Sequence, residues 1–148
     1  MDLENLYQEI IIDHYKNPRN RGRIPDEKVL ADEENPMCGD QVRLTASVEN
    51  GRISSIRFDG KGCAISQASA SMMTEALSGK TIEEAADTIR RFIGGMTGEE
   101  GFNEDEWEEI AALGGVRNFP LRIKCATMSW HGMEKVLGRI ADSSRGPQ

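Results

Sequence analysis

Residues 42–58 constrain the fold most. Val42, Leu44, Ala46 and Val48 alternate with Arg43, Thr45 and Ser47, the period of two expected of a half-buried strand. Asn50-Gly51 follows, and both residue types tolerate the positive φ that a type I′ hairpin turn requires. Ile53 to Phe58 is then the returning strand. Ile53 is out of phase with Ile56 and Phe58, which predicts a bulge.

Around this hairpin the spacing is helical. Leu3, Leu6, Tyr7, Ile10, Ile11, His14 and Tyr15 give an amphipathic helix over 2–16, with Asp2 as its cap and Asn17-Pro18 as its stop. Residues 19–36 read as loop, with a short strand near Val29-Leu30. Ala64 to Leu77 is rich in Ala, Ser and Met, so it should pack closely on neighbours, and Ser78-Gly79 closes it. Thr81-Ile82-Glu83-Glu84 is a capping box, followed by the apolar face Ile82, Ala85, Ala86, Ile89, Phe92 and Ile93. Residues 94–115 carry six glycines around an acidic run and read as an insert, with Trp107, Ile110 and Leu113 pinning a short helix. Trp130, Met133, Val136, Leu137 and Ile140 mark a final helix, and 143–148 form a flexible polar tail.

A length of 148 residues suits one domain. The net charge of −7 argues against a nucleic-acid partner, which would need a basic patch, and against docking on an anionic membrane. The acidic start and the short run Ile10-Ile11-Ile12 resemble neither a signal peptide nor a membrane span, so a cytoplasmic protein with reduced thiols is expected.

The three cysteines occupy distinctive settings. Cys38 lies two residues before Asp40 on the Pro/Gly-bent loop Asn35-Pro36-Met37-Cys38-Gly39-Asp40. Cys63 follows Gly60-Lys61-Gly62 at a helix start, where unpaired N–H groups favour a thiolate. Cys125 sits beside Lys124, just before the last helix on this reading. Three thiolates and a carboxylate make a tetrahedral set suited to zinc. They carry four negative charges against two on the metal, and Lys61, Arg122 and Lys124 are placed to offset the difference. Isolated cysteines are also common as inert core residues, and no Cys-x-x-Cys pair is present. His14 and His131 fall within helical patterns and read as packed or surface histidines. Met72-Met73 reads as core and the acidic run as a solvated face.

Cys38-Gly39-Asp40, Gly60-Lys61-Gly62-Cys63-Ala64-Ile65-Ser66 and Arg122-Ile123-Lys124-Cys125-Ala126 together resemble the iron–sulfur assembly family of NifU N-terminal domains and IscU. The resemblance spans nearly the whole chain, with the motifs in order. It implies a compact single α+β domain, a three-stranded antiparallel sheet with five or six helices packed on it, and a metal site at one end. The implied ligands are Cys38, Asp40, Cys63 and Cys125. Scaffold-type members carry histidine where this chain has Lys124, and Leu-Pro-Pro-Val-Lys where it has Phe119-Pro120-Leu121-Arg122-Ile123. The insert and the lysine are instead similar to the SufU branch.

That branch implies a zinc-dependent sulfurtransferase accepting persulfide sulfur from a SufS-type cysteine desulfurase. A histidine of the desulfurase would displace one cysteine from Zn2+. By analogy Cys38 is the acceptor, Asp40 a ligand that helps release it, and Arg122 a supporting charge. Sulfur would pass on to a SufBCD-type scaffold or another acceptor. The alternatives are a scaffold that assembles a [2Fe–2S] cluster on the same ligands, and a zinc module whose metal only holds the fold. A Cys/His hydrolase is more remote, because neither histidine has a loop setting.

Overall fold

In a computed structural model, which describes residues 3–25, 27, 31–35, 39–98 and 101–144, the hairpin forms as the alternation requires. β2 (Asp40–Glu49) and β3 (Arg52–Lys61) pair antiparallel, and Asn50 and Gly51 turn between them at φ 54° and 75°. The pairing steps from Ser47–Ser55 to Val48–Ile53, leaving Ser54 as the extra residue of a bulge. That step returns Ile53 to the buried face with Ile56 and Phe58. Strand β1 (Ala31–Asn35) adds to the other side of β2, giving an antiparallel sheet in the order β1-β2-β3. The expected strand near Val29-Leu30 lies outside the described residues. The loop expected over the following positions is in fact this strand.

Helices α1 (Leu3–Lys16), α2 (Ala64–Leu77), α3 (Ile82–Thr97), α4 (Glu104–Trp107) and α5 (Pro120–Ser144) pack with the sheet, together with a 3-10 helix, η1 (Glu108–Asn118). Asp2, proposed as the α1 cap, lies outside the described residues, and Tyr15 is exposed instead of facing the core. Small side chains let α2 lie between α1 and α5. Its buried Ser69 hydroxyl donates to the Ala126 carbonyl at 2.5 Å and accepts the Trp130 indole N–H at 3.0 Å. Both polar groups are thereby satisfied inside the core, where an unmade hydrogen bond costs about 1–3 kcal/mol.

Thr81 caps α3 by accepting the Glu84 N–H at 3.1 Å. The apolar face of α3 places Phe92 on Trp130, stacked with centroids 3.8 Å apart. Phe102 and Trp107 extend that aromatic cluster from the 94–115 stretch. The final helix begins at Pro120, well before the Trp130 face that signals it. Proline is suited to a first helical position, where its missing N–H loses nothing. No helix among the described residues is long and apolar enough to cross a membrane.

Candidate metal centre

Strand register, one helix start and the seating of α5 bring three of the predicted ligands together at one end of the sheet. Asp40 opens β2 on the same face as Val42, Leu44 and Ala46, so alternation aims its carboxylate toward the helices. Asn35 lies opposite it on β1, and Lys61 opposite Gln41 on β3. The chain then needs only Gly62 to reach Cys63, which caps α2 in extended conformation. The Cys63 N–H donates to Asp40 Oδ1 at 2.9 Å, and the Ser66 N–H donates to Cys63 Sγ at 3.5 Å. A Cβ at Gly62 would fall 2.5 Å from Asp40 Oδ1 and would also collide with the Ser66 hydroxyl. Glycine is therefore what lets the carboxylate close on the helix start.

Cys125 comes from α5. It is buried in the second turn of that helix, which corrects the reading that placed it ahead of the helix on an element end. One carboxylate oxygen of Asp40, Cys63 Sγ and Cys125 Sγ all lie within 4.8 Å of one another. Cys38, the fourth expected ligand, lies outside the described residues.

The donor set fits a borderline-soft divalent ion such as zinc, which takes thiolate and carboxylate together. Asp40 supplies an independent indication. It is 1% exposed, and its Oδ2 has no hydrogen-bond partner. A buried carboxylate oxygen left unmatched is costly, and a cation beside it removes the cost.

Arg122 stands exposed at the rim. The charge of Cys63 first, and a hydrogen bond to Cys125 second, hold its guanidinium above its ordinary pKa. Lys61 and Lys124 are also exposed, but Arg122 is the cation tied to both sulfurs.

A second cluster was only partly legible in sequence. His14 is buried; its Nδ1 lies 2.8 Å from the Ser71 hydroxyl and its Nε2 2.7 Å from Glu109 Oε2, with Glu75 Oε1 at 4.0 Å. Both ring nitrogens are thus satisfied, and Arg19 Nε lies 3.9 Å from Glu75. The cluster ties η1 to α1 and α2. The acidic run is accordingly more than a solvated face, since Glu109 holds His14 and Glu106 pairs with Arg91. A cleft of about 680 Å³ lined by Arg19, Glu75, Trp107 and Glu109 opens beside it, and none of Asp40, Cys63 and Cys125 lines that cleft. His131 is exposed and pairs with Glu134.

Comparison with known proteins identifies related chains. The family model of the NifU-like N-terminal domain matches residues 6–126. A Bacillus subtilis protein named zinc-dependent sulfurtransferase SufU is 47% identical over 134 residues, covering 90% of each chain. A Streptococcus pyogenes protein named iron–sulfur cluster assembly scaffold protein IscU is 38% identical, covering 95% of this chain and 88% of its own. Among solved structures, one from Fervidobacterium islandicum is described as a candidate iron–sulfur cluster assembly scaffold protein for the SUF system. It superposes with a TM-score of 0.81 at 34% identity, covering 92% of this chain and 99% of its own.

Proposed function

The chain belongs to the NifU-like N-terminal domain family, and from that premise we propose that it serves iron–sulfur cluster biogenesis as a zinc-dependent sulfurtransferase. The observation that carries the reading is the convergence of Asp40, Cys63 and Cys125 around an unpartnered buried carboxylate oxygen. Zinc would be held by these three and Cys38. Bound there, it would keep the thiols deprotonated at neutral pH and add folding energy, on the order of 10 kcal/mol for structural sites.

The donor is a cysteine persulfide on a SufS-type desulfurase. The Cys38 thiolate attacks its outer sulfur, a new S–S bond forms on Cys38, and the donor's own S–S bond breaks. The electron pair leaves on the desulfurase thiolate, so no external oxidant or reductant is needed. Cys63 is fixed as a helix cap and Cys125 within a helix, which leaves Cys38 as the acceptor. Arg122 offsets the negative charge of the sulfurs from the solvent side. Sulfur would then pass to a SufBCD-type scaffold or another acceptor.

The relative named IscU supports a second reading, in which the same residues hold a [2Fe–2S] cluster during its assembly. Lys124, where scaffold-type members carry histidine, favours the first.

The test is desulfurase turnover, read as alanine release, with and without this protein, alongside its metal content. One zinc per chain with strong stimulation is expected. Cys38→Ser should fold and give no stimulation; full stimulation by that variant would move the acceptor role to Cys63 or Cys125. Iron and sulfide in anaerobically purified protein, with little stimulation, would select the scaffold reading.

A further inference from the structure

Asn35 plays no part in the function just proposed, yet it closes β1 directly against the site. It is 8% exposed and opposite Asp40 in register, and its carbonyl accepts the Gly39 N–H at 2.9 Å. Its side-chain amide donates to Cys125 Sγ at 3.9 Å, toward the long end for a sulfur acceptor.

The two described sulfurs obtain their N–H donors differently. Cys63 receives the Ser66 N–H because it caps α2, so that donor comes with the helix start. Cys125 lies inside α5, where the backbone N–H groups of its own turn are committed to i→i−4 bonds. Besides the exposed Arg122 of the same helix, a buried donor for its sulfur comes from β1. As a thiol, Cys125 directs its S–H toward the Leu121 carbonyl at 3.9 Å. The Asn35 amide and the Arg122 guanidinium both donate to this sulfur. Arg122 is exposed and screened by solvent, whereas the amide is buried, where a hydrogen bond to a charged acceptor is stronger.

We propose that Asn35 is a positioning residue of the sulfur site: its amide holds the Cys125 sulfur in place as a fixed metal ligand while another cysteine takes the sulfur. The proposal rests on the metal reading of Asp40, Cys63 and Cys125. Asn35 thereby couples the end of β1, opposite Asp40, to the helix that carries Cys125.

The experiment uses the full chain loaded with Co2+ as a spectroscopic substitute for zinc, in the parent, Asn35→Ala and Asn35→Asp. A thiolate that loses an N–H donor rises in energy, so the sulfur-to-cobalt charge-transfer band should move to lower energy in Asn35→Ala and further in Asn35→Asp. The zinc dissociation constant, measured by chelator competition, should rise about 10–100-fold, the usual effect of removing a partner of a metal ligand. Far-UV circular dichroism reports whether each variant folds, and Asn35→Asp, which keeps the side-chain shape, decides if Asn35→Ala does not. An unshifted band and an unchanged dissociation constant in the folded variants would overturn the proposal. A parent chain that takes up neither Co2+ nor zinc would overturn the metal reading beneath it.

Discussion

Replacing Asp40 by asparagine should change stability with opposite sign in the metal-free and zinc-loaded chains. Asparagine keeps the shape and leaves an oxygen to accept the Cys63 N–H, now 2.9 Å from Asp40 Oδ1. In the metal-free chain three effects compete. Hydrogen bonds to charged groups contribute about 1.5–3 kcal/mol and neutral ones about 0.5–1.5, so roughly 1 kcal/mol is lost. The new amide N–H occupies the place of the unpartnered Oδ2, and an unsatisfied buried donor costs about 2 kcal/mol. Against these, an uncompensated buried charge disappears, and such charges cost about 3–5 kcal/mol. The balance is a gain of about 1 kcal/mol, which for a chain of this length raises Tm by about 2–4 °C. With zinc, the amide cannot replace the carboxylate. A 100-fold loss of affinity alone corresponds to about 2.7 kcal/mol, which outweighs the gain. Calorimetric melting of both proteins with and without excess zinc measures all four states. A stability loss of the same size with and without metal would refute the reasoning, because Asp40 would then act only through the Cys63 N–H.

Three further outcomes follow from the packing. Ser69→Ala leaves the Trp130 indole N–H and the Ala126 carbonyl without their shared partner in a fully buried site, and should cost about 1–3 kcal/mol in urea denaturation. Gly60→Ala places a Cβ against the Gln41 backbone carbonyl at φ 134°; it should cost at least about 2–3 kcal/mol and weaken zinc binding, because Gln41 adjoins Asp40. Glu109→Gln keeps a group for His14 to bond but removes its charge. It should lower stability by about 1 kcal/mol and increase hydrogen exchange in η1 without changing zinc content, as mass spectrometry would show.

The sequence by itself determined what depends on neighbours along the chain. The alternation of Val42 to Phe58, the Asn50-Gly51 turn and the out-of-phase Ile53 specify the hairpin and its bulge, because strand period and turn geometry are local. The Thr81 cap and the helix-start setting of Cys63 were legible for the same reason. Tertiary structure decided the rest. Ala-Asp-Glu-Glu-Asn has little intrinsic strand preference, and it becomes β1 by pairing with β2, with Glu33 also bound to Lys135 of α5. Residues 120–129 lack the clear apolar spacing that signals the rest of α5, so Cys125 appeared to precede a helix that in fact contains it. Asn35 and Cys125, 90 residues apart, meet only through the seating of α5 on the sheet. Periodicity reports which face of an element is buried; which side chains then converge is set by register and by how closely helices approach, and neither is local.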